Sequence, residues 1–385
     1  MTVARERQFD PTDPPWIHAI SRCVRKAFLC GGREGKFDHR RDWVEERLAY
    51  LAGCFAVEIA SYAVMANHLH IVLRLQPAVT GSWSAAEVAR RWLAVYPSQY
   101  LADGTPVAAS DEEIRRRATD AGWIGLRRKR LGDLGWFMKA LKEPIARRAN
   151  REDGCRGTFW ESRYTSVPLL DHAALIACMA YVDLNPVRAR VVDRPERSTH
   201  TSVRQRVRAR QRARVGQRLR ERALPAAQSI ARAARVEARV EAHIEAPIVT
   251  LKAVQAPGKI NQAAIATGGE PGAWLAPLAS CCTGDQLRDG SGFSAEEYLQ
   301  LVDATGRVVR AGKRGAIPAT LAPLLSRLDV QVDEWIATMV GWRSMSGGAV
   351  GGVAARQAEA TRRGLAWVRT RCRLFTPGNH PSRVA

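Results

Sequence analysis

The sequence predicts an α+β fold followed by a mostly helical C-terminal region. Three observations carry this. The first 75 residues read as strand, helix, strand, strand. Residues 55–60 and 158–167 alternate with the period of two that suits a half-buried strand. A capped helix with a clear apolar stripe follows over residues 172–185.

The first strand is Trp16-Ile17-His18-Ala19-Ile20, with Arg22 and Arg25 just beyond it. Asp42 to Ala52 has helical spacing, because Val44, Leu48 and Leu51 fall on one face. Phe55, Val57 and Ile59 then alternate with Ala56, Glu58 and Ala60. After a break at Ala66-Asn67, His68 to Leu75 reads as another strand. Residues 76–130 are less regular. Ala85–Val95 and Asp111–Ala121 have helical spacing around Tyr96-Pro97-Ser98 and a Gly-Thr-Pro turn, so this stretch is expected as an insertion or lid.

Leu134 to Asn150 is a further helix. Phe137, Leu141 and Ile145 share one face, Lys139, Lys142, Arg147 and Arg148 take the others, and Pro144 predicts a kink or a break. Thr158 to Val167 is expected as a strand carrying Phe159, Trp160 and Tyr164. Asp171 caps the helix from His172, whose core stripe is Leu175, Cys178, Met179 and Val182. Pro186 disfavours helical geometry at Asn185 and ends that helix.

Domain boundaries follow from changes in character. Residues 1–200 read as one domain with 76–130 inserted, 201–246 as an Arg-rich linker, and 247–385 as a helical accessory region. In the linker Arg stands at 204, 206, 208, 210, 212, 214, 218, 220 and 222. That spacing wraps around a helix instead of forming one face. The segment is a partly helical or disordered basic linker, either a solvated connector or a DNA-tracking arm. Residues 257–293 are Gly-rich without a clear period. Ser294-Ala295-Glu296-Glu297 is a capping box before Tyr298, Leu301 and Val302. Pro318–Arg327 and Asp333–Trp342 read as helices, Gly347–Gly352 as a flexible break, and residues 354–372 as a last helix.

Composition bounds the function. A chain of 385 residues suits two domains, and 46% hydrophobic residues can build real cores. The apolar runs fall far short of the roughly 20 residues that span a bilayer. The N-terminus lacks an apolar signal core, so a soluble cytoplasmic protein with no membrane partner is expected. The eight cysteines form no C-x-x-C pair, which argues for reduced thiols and against a zinc finger. Net charge +21 predicts attraction to polyanions, nucleic acid first. A compositional bias towards Arg and Ala would raise the charge as well.

Two local patterns carry chemistry. On a strand, His68 and His70 share one face while Leu69, Ile71 and Leu73 point to the core. Two neutral imidazoles on one rigid face make two thirds of a typical metal site, although such pairs also arise on strands by chance. Tyr181 and Asn185 stand four apart, so they share a helix face offset from the core stripe. On its own, a tyrosine at that edge is usually a plain anchor with its hydroxyl in solvent.

These blocks carry a resemblance. Tyr62-Ala63-Val64-Met65-Ala66-Asn67-His68-Leu69-His70-Ile71-Val72-Leu73 resembles the HUH block of the small single-tyrosine transposases. Phe159-Trp160-Glu161-Ser162-Arg163-Tyr164 and the segment from Tyr181 to Ala189 resemble their later blocks. The likeness is strongest to REP-associated tyrosine transposases, whose helix carries a Tyr-x-x-x-Asn-Pro-Val pattern. It covers about residues 14–195. A weaker likeness to longer members runs from about 294 to 342, around Val302-Asp303 and Lys313-Arg314-Gly315-Ala316-Ile317-Pro318.

The resemblance implies a ferredoxin-like antiparallel sheet with helices on one face. It implies that His68 and His70, on a central strand, hold Mg2+ or Mn2+, and that Tyr181 attacks DNA to give a 5′-phosphotyrosine. Asn185 is the candidate third ligand, because it shares the face of Tyr181; Glu58 is the alternative. Arg22, Arg163 and Arg188 lie near the matching blocks, as DNA contacts or as solvated arginines. Trp160 is a base-stacking candidate or a core tryptophan. The implied substrate is single-stranded or hairpin-ended DNA, cut and rejoined by a DNA transposase, with a homodimer left open. A catalytically silent DNA-binding protein of the same fold is the alternative. An RNA-binding or ribosome-associated protein would explain the charge but not the histidine and tyrosine blocks.

Overall fold

The computed structural model describes residues 9–31, 36–102, 104–215, 217–218, 274–281, 294–309, 330, 332–342 and 348–368. The chain divides into two compact units, residues 1–204 with 274–385, and residues 205–273. In the second unit, residues 205–215 and 217–218 are helical. Residues 219–246, the 257–273 and 282–293 parts of the Gly-rich stretch, the expected helix Pro318–Arg327 and the Lys313–Pro318 motif lie outside the described residues.

The first unit is an α+β structure built on four antiparallel strands, β1 (Trp16–Arg22), β2 (Val57–Val64), β3 (His68–Leu75) and β4 (Thr165–Leu169). Their order across the sheet is β2-β3-β1-β4. Helix α1 (His39–Cys54) joins β1 to β2. Helices α2 (Pro77–Ser82), α3 (Ala85–Val95), α4 (Asp111–Ala118), α5 (Ala121–Leu131) and α6 (Leu134–Glu152) lie between β3 and β4. Beyond β4 come α7 (His172–Asp183), α8 (Asn185–Arg188), α9 (Leu278–Cys281), α10 (Ala295–Val309), α11 (Val332–Gly341) and α12 (Val353–Arg362).

The pleat sends alternate side chains to opposite faces. Ile17, Ala19, Leu69, Ile71 and Leu73 share one core with Val44, Leu48 and Leu51 of α1 and with Phe137, Leu141 and Ile145 of α6. The segment expected as an insertion or lid joins that same core through Val88, Leu93, Ile114, Ile124 and Leu131. Helix α7 packs on the other face, where the Ser61 hydroxyl donates to the Met179 carbonyl at 3.5 Å. Helices therefore cover both faces, not one. The reason is in α7 itself: every residue from Ala173 to Asp183 is buried. A helix apolar all round needs cover on every side. The sheet supplies one side, and α10 and α11 pack against it as well.

Several boundaries differ from expectation: the helix expected over Asp111–Ala121 stops at Ala118, with a new one starting at Ala121, and the last helix ends at Arg362 instead of 372. Helix α6 runs through Pro144 unbroken. Pro144 cannot donate to the Ala140 carbonyl one turn back, and Arg47 Nε donates to that oxygen instead at 3.1 Å. Strand β4 begins at Thr165, not at 158. Phe159 and Trp160 pair only briefly with β1's continuation, through Val24 N to Phe159 O and Glu161 N to Arg22 O. Residues 161–163 then bend away before the strand resumes. Helix α7 ends at Asp183, and Asn185-Pro186 opens the separate turn α8. The shared helix face expected for Tyr181 and Asn185 is thus broken by Pro186.

The C-terminal residues close the sheet. At the outer edge of β2, Ala276 N donates to Ile59 O, and Thr201 bridges Ala63. At the outer edge of β4, Val350 exchanges backbone hydrogen bonds with Pro168 and Leu170. Covering the edges removes templates for strand addition. So the described part of the expected flexible break, residues 348–352, is packed. A Cβ at Gly351 would lie 2.8 Å from Leu170 Cβ, and Gly352 N donates to Asp171 Oδ2. Gly347 lies outside the described residues. The capping box forms: Ser294 N donates to Glu297 Oε2 at 2.8 Å, and Glu297 N to Ser294 Oγ at 3.2 Å. The six described cysteines are all free, and among the described residues no helix is long and apolar enough to cross a membrane.

Candidate active site

The register of β1 against β3 sets Ile20 opposite His70 and Arg22 opposite His68, so His18, His68 and His70 face the same way. His18 Nε2 lies 2.9 Å from His70 Nδ1, and their rings stack at 5.0 Å between centroids. Both are buried. Burial pushes the His18 pKa down to about 3. It also pushes His70 well below its ordinary value, with His18, His68 and Arg22 adding to the effect. Both rings are therefore neutral at pH 7, and one proton serves the bond between them.

His68 is fixed differently. Its Nδ1 is 2.7 Å from Asn67 Oδ1. An amide oxygen only accepts, so Nδ1 carries the hydrogen. A neighbour that holds one imidazole nitrogen and so fixes the tautomer and ring orientation is the usual support of a metal-ligating histidine. His70 has the same support when its Nδ1 donates to His18.

Helix α7 carries Tyr181 over these rings, 5.8 Å from His70 and 6.3 Å from His18 between centroids. Trp342, just after α11, stacks on Tyr181 at 5.5 Å and 25°. The Arg188 guanidinium carbon lies 5.2 Å from the Tyr181 ring centre, and Arg188 Nη1 donates to the Met339 carbonyl of α11. Two residues beyond Tyr181, Asp183 is wholly buried. It accepts from Val203 N at 2.9 Å, from the Ser202 hydroxyl and from the Tyr298 hydroxyl. That carboxylate ties the end of α7 to the Ser202–Val203 segment and to α10.

All of this opens on a cavity of about 910 Å3. His18, His68, His70, Tyr181, Asn185 and Trp342 line it. So do Arg22, Lys26, Arg163, Arg188 and Arg190, against Glu161 and Asp193. Five cations facing two carboxylates make a cavity suited to an anion. No family model, curated protein or solved structure matches this chain. The chemistry of the site is read from its geometry.

That geometry gathers His68, His70, Tyr181 and Asn185 into one place, with Arg22, Arg163 and Arg188 around them. Arg22 and Arg163 are exposed, while Arg188 is half-buried against Tyr181. Glu58 is elsewhere, paired with Arg74 at 2.7 Å. Trp160 is a core residue whose indole N–H donates to the Lys142 carbonyl at 3.0 Å. Among the described residues no three His, Cys, Asp or Glu side chains converge as a metal site. His68, His70 and Asn185 bring two imidazoles and one amide to the same cavity wall, the side chains there that could serve as metal donors. Sequence reasoning missed His18, Trp342 and Asp183. A signal existed for His18: on β1 it shares the parity of Arg22, and it is the one ionisable group within Trp16–Ile20.

Proposed function

We propose that this chain is a DNA strand transferase of the single-tyrosine transposase type, acting on single-stranded or hairpin-ended DNA. The observation that carries the reading is Tyr181 lying over the His68–His70 strand in a cavity lined by five cations. The element order β1-α1-β2-β3-α6-β4 and the strand order β2-β3-β1-β4 support a ferredoxin-like arrangement.

The Tyr181 phenol oxygen attacks the scissile phosphorus in line. The bond from oxygen to phosphorus forms as the bond to O3′ breaks. A 5′-phosphotyrosine and a free 3′-OH result; the phenol proton passes to solvent and O3′ takes up another. Reversal by a 3′-OH on a new end rejoins the strand without outside energy. Arg22 and Arg163 hold the flanking phosphates, and Arg188 keeps the phenol ring in place. Tyrosine has a reference pKa near 10, so it needs a polarised target; Mg2+ or Mn2+, held by His68, His70 and Asn185, supplies that polarisation when bound.

One observation favours a second reading, a silent DNA-binding protein of the same fold: only 6% of Tyr181 is exposed beneath Trp342. The test is to incubate the protein with end-labelled hairpin DNA and Mg2+ or Mn2+ and run a denaturing gel. A protein–DNA adduct that vanishes in Tyr181→Phe is expected. An adduct that persists in the variant sinks the nucleophile assignment, and tight binding without any adduct leaves the silent reading standing.

A further inference from the structure

A second cationic surface lies away from the cavity. On α5, Trp123, Arg127 and Arg130 are spaced by four and three residues, so they share one face. Trp92 on α3, Trp136 on α6 and Arg117 on α4 meet that face. Together they form a row in which cations and rings alternate. The guanidinium carbon of Arg117 is 5.3 Å from the Trp123 ring centre, and that of Arg127 is 4.5 Å from Trp123 and 5.7 Å from Trp92. The guanidinium carbon of Arg130 is 5.7 Å from Trp92 and 4.0 Å from Trp136. None of the six lines the cavity.

Stacking explains part of this row, since each such contact contributes about 0.5–1 kcal/mol at an exposed site. It does not explain the missing counter-charge. Nearby arginines are neutralised: Arg90 and Arg91 pair with Glu87, and Arg147 with Glu143. Among the described residues no carboxylate pairs with Arg117, Arg127 or Arg130. The Nε atoms of Arg117 and Arg127 are buried without a hydrogen-bond partner. Burial and the neighbouring Arg130 and Arg117 hold the Arg127 guanidinium below its ordinary value. Three crowded, half-buried guanidinium groups with rings at their faces keep N–H edges for an anion. The rings here carry guanidinium groups on their faces, so what the row offers outward is spaced positive charge, which fits the paired phosphate backbones of a duplex better than unstacked bases or an isolated phosphate.

We propose that this row is a second, sequence-blind DNA-binding surface, which grips the phosphate backbone of a duplex stem while the cavity takes the adjoining single strand. Naming DNA as the polyanion rests on the proposed function; the surface itself does not depend on Tyr181 chemistry. The test is the salt dependence of binding by the full chain, followed by fluorescence anisotropy on a DNA hairpin and on a single strand of equal length. Each duplex phosphate contact contributes a slope of about 0.9 in log K against log salt. R117Q/R127Q/R130Q is expected to flatten the hairpin slope by about 2 to 3 and to leave the single-strand slope unchanged. The corresponding triple Lys variant restores most of it. Wild-type slope and affinity in the Gln variant overturn the proposal, including the case of an acidic protein as the true occupant. Should that variant fail to fold, a bromouracil-substituted hairpin is photo-crosslinked to the unmodified chain. Crosslinks at Trp123 or Trp136 are expected; crosslinks confined to the cavity overturn the proposal. Absence of a Tyr181 adduct with these slopes intact would sink the reaction and leave this surface standing.

Discussion

His18 shows how a single residue changes the reading of a histidine pair. A strand carrying His68 and His70 was legible from spacing, but their state depends on what lies behind them, and His18 lies 2.9 Å behind His70. Its burial has a measurable consequence. With a folded pKa of about 3 against an ordinary value of 6.5, His18 in the unfolded chain takes up a proton that the native fold refuses. The sign follows: the contribution is complete above pH 6.5 and is lost as pH falls from there towards 3. The slope is about 1.4 kcal/mol per pH unit for one such group. Urea denaturation between about pH 7 and 5.5 should therefore record a loss of about 1–2 kcal/mol. His18→Asn, which stays neutral and can still bond to His70, should remove the share of His18 from that slope and leave the share of His70, which burial also holds below its ordinary value. An unchanged slope in the variant would place the acid sensitivity elsewhere.

At the scale of elements, local pattern and long-range contact divide the legible from the illegible. Strand β3 was readable to the residue, because its alternation and its flanking break are local. Strand β4 was not, since the bend at residues 161–163 depends on pairing with Arg22 and Val24. Asp183 is the sharper case. Its partners Ser202 and Tyr298 stand 19 and 115 residues away, so the spacing of Tyr181-Val182-Asp183 could not reveal a hub. Asp183→Ala strands buried donors of Ser202, Val203 and Tyr298. At about 1–3 kcal/mol for each orphaned group, the loss should reach at least about 3 kcal/mol in chemical denaturation. A loss below 1 kcal/mol would mean that α7 is held by the sheet alone. Asp171→Ala, at the other end of α7, removes a cap on Ala174 N at 2.8 Å and a bond from Gly352 N. Its expected cost is about 1–2 kcal/mol, with the residues 348–352 becoming susceptible to limited proteolysis.

At the scale of the whole molecule, the candidate site is not contained in the half of the chain where its motifs lie. His68, His70, Tyr181 and Asn185 all precede residue 200, and from sequence the second half had no role. The structure gives it two. Residues 274–276 and 349–350 cover the outer edges of β2 and β4, and α11 with Trp342 holds Arg188 and Tyr181. A chain cut after residue 246 keeps the histidine and tyrosine blocks but bares the β4 edge and the Ile59 end of the β2 edge, so it should aggregate and give no adduct. That result alone would not separate edge exposure from loss of the stack. Trp342→Leu in the full chain does, because it keeps an apolar side chain at the position and leaves both edges covered. Trp342 is buried, so Trp342→Leu loses the aromatic pair and leaves a cavity, and should lower stability by about 2–3 kcal/mol without baring either sheet edge, a loss that still leaves the chain folded at low denaturant. If the stack orients Tyr181, adduct formation should fall by about tenfold, which corresponds to 1.4 kcal/mol in the barrier, and Trp342→Phe should restore it. Faster adduct formation in Trp342→Leu would show instead that Trp342 shields the phenol, and the site would then need the C-terminal helices to move before DNA could reach it.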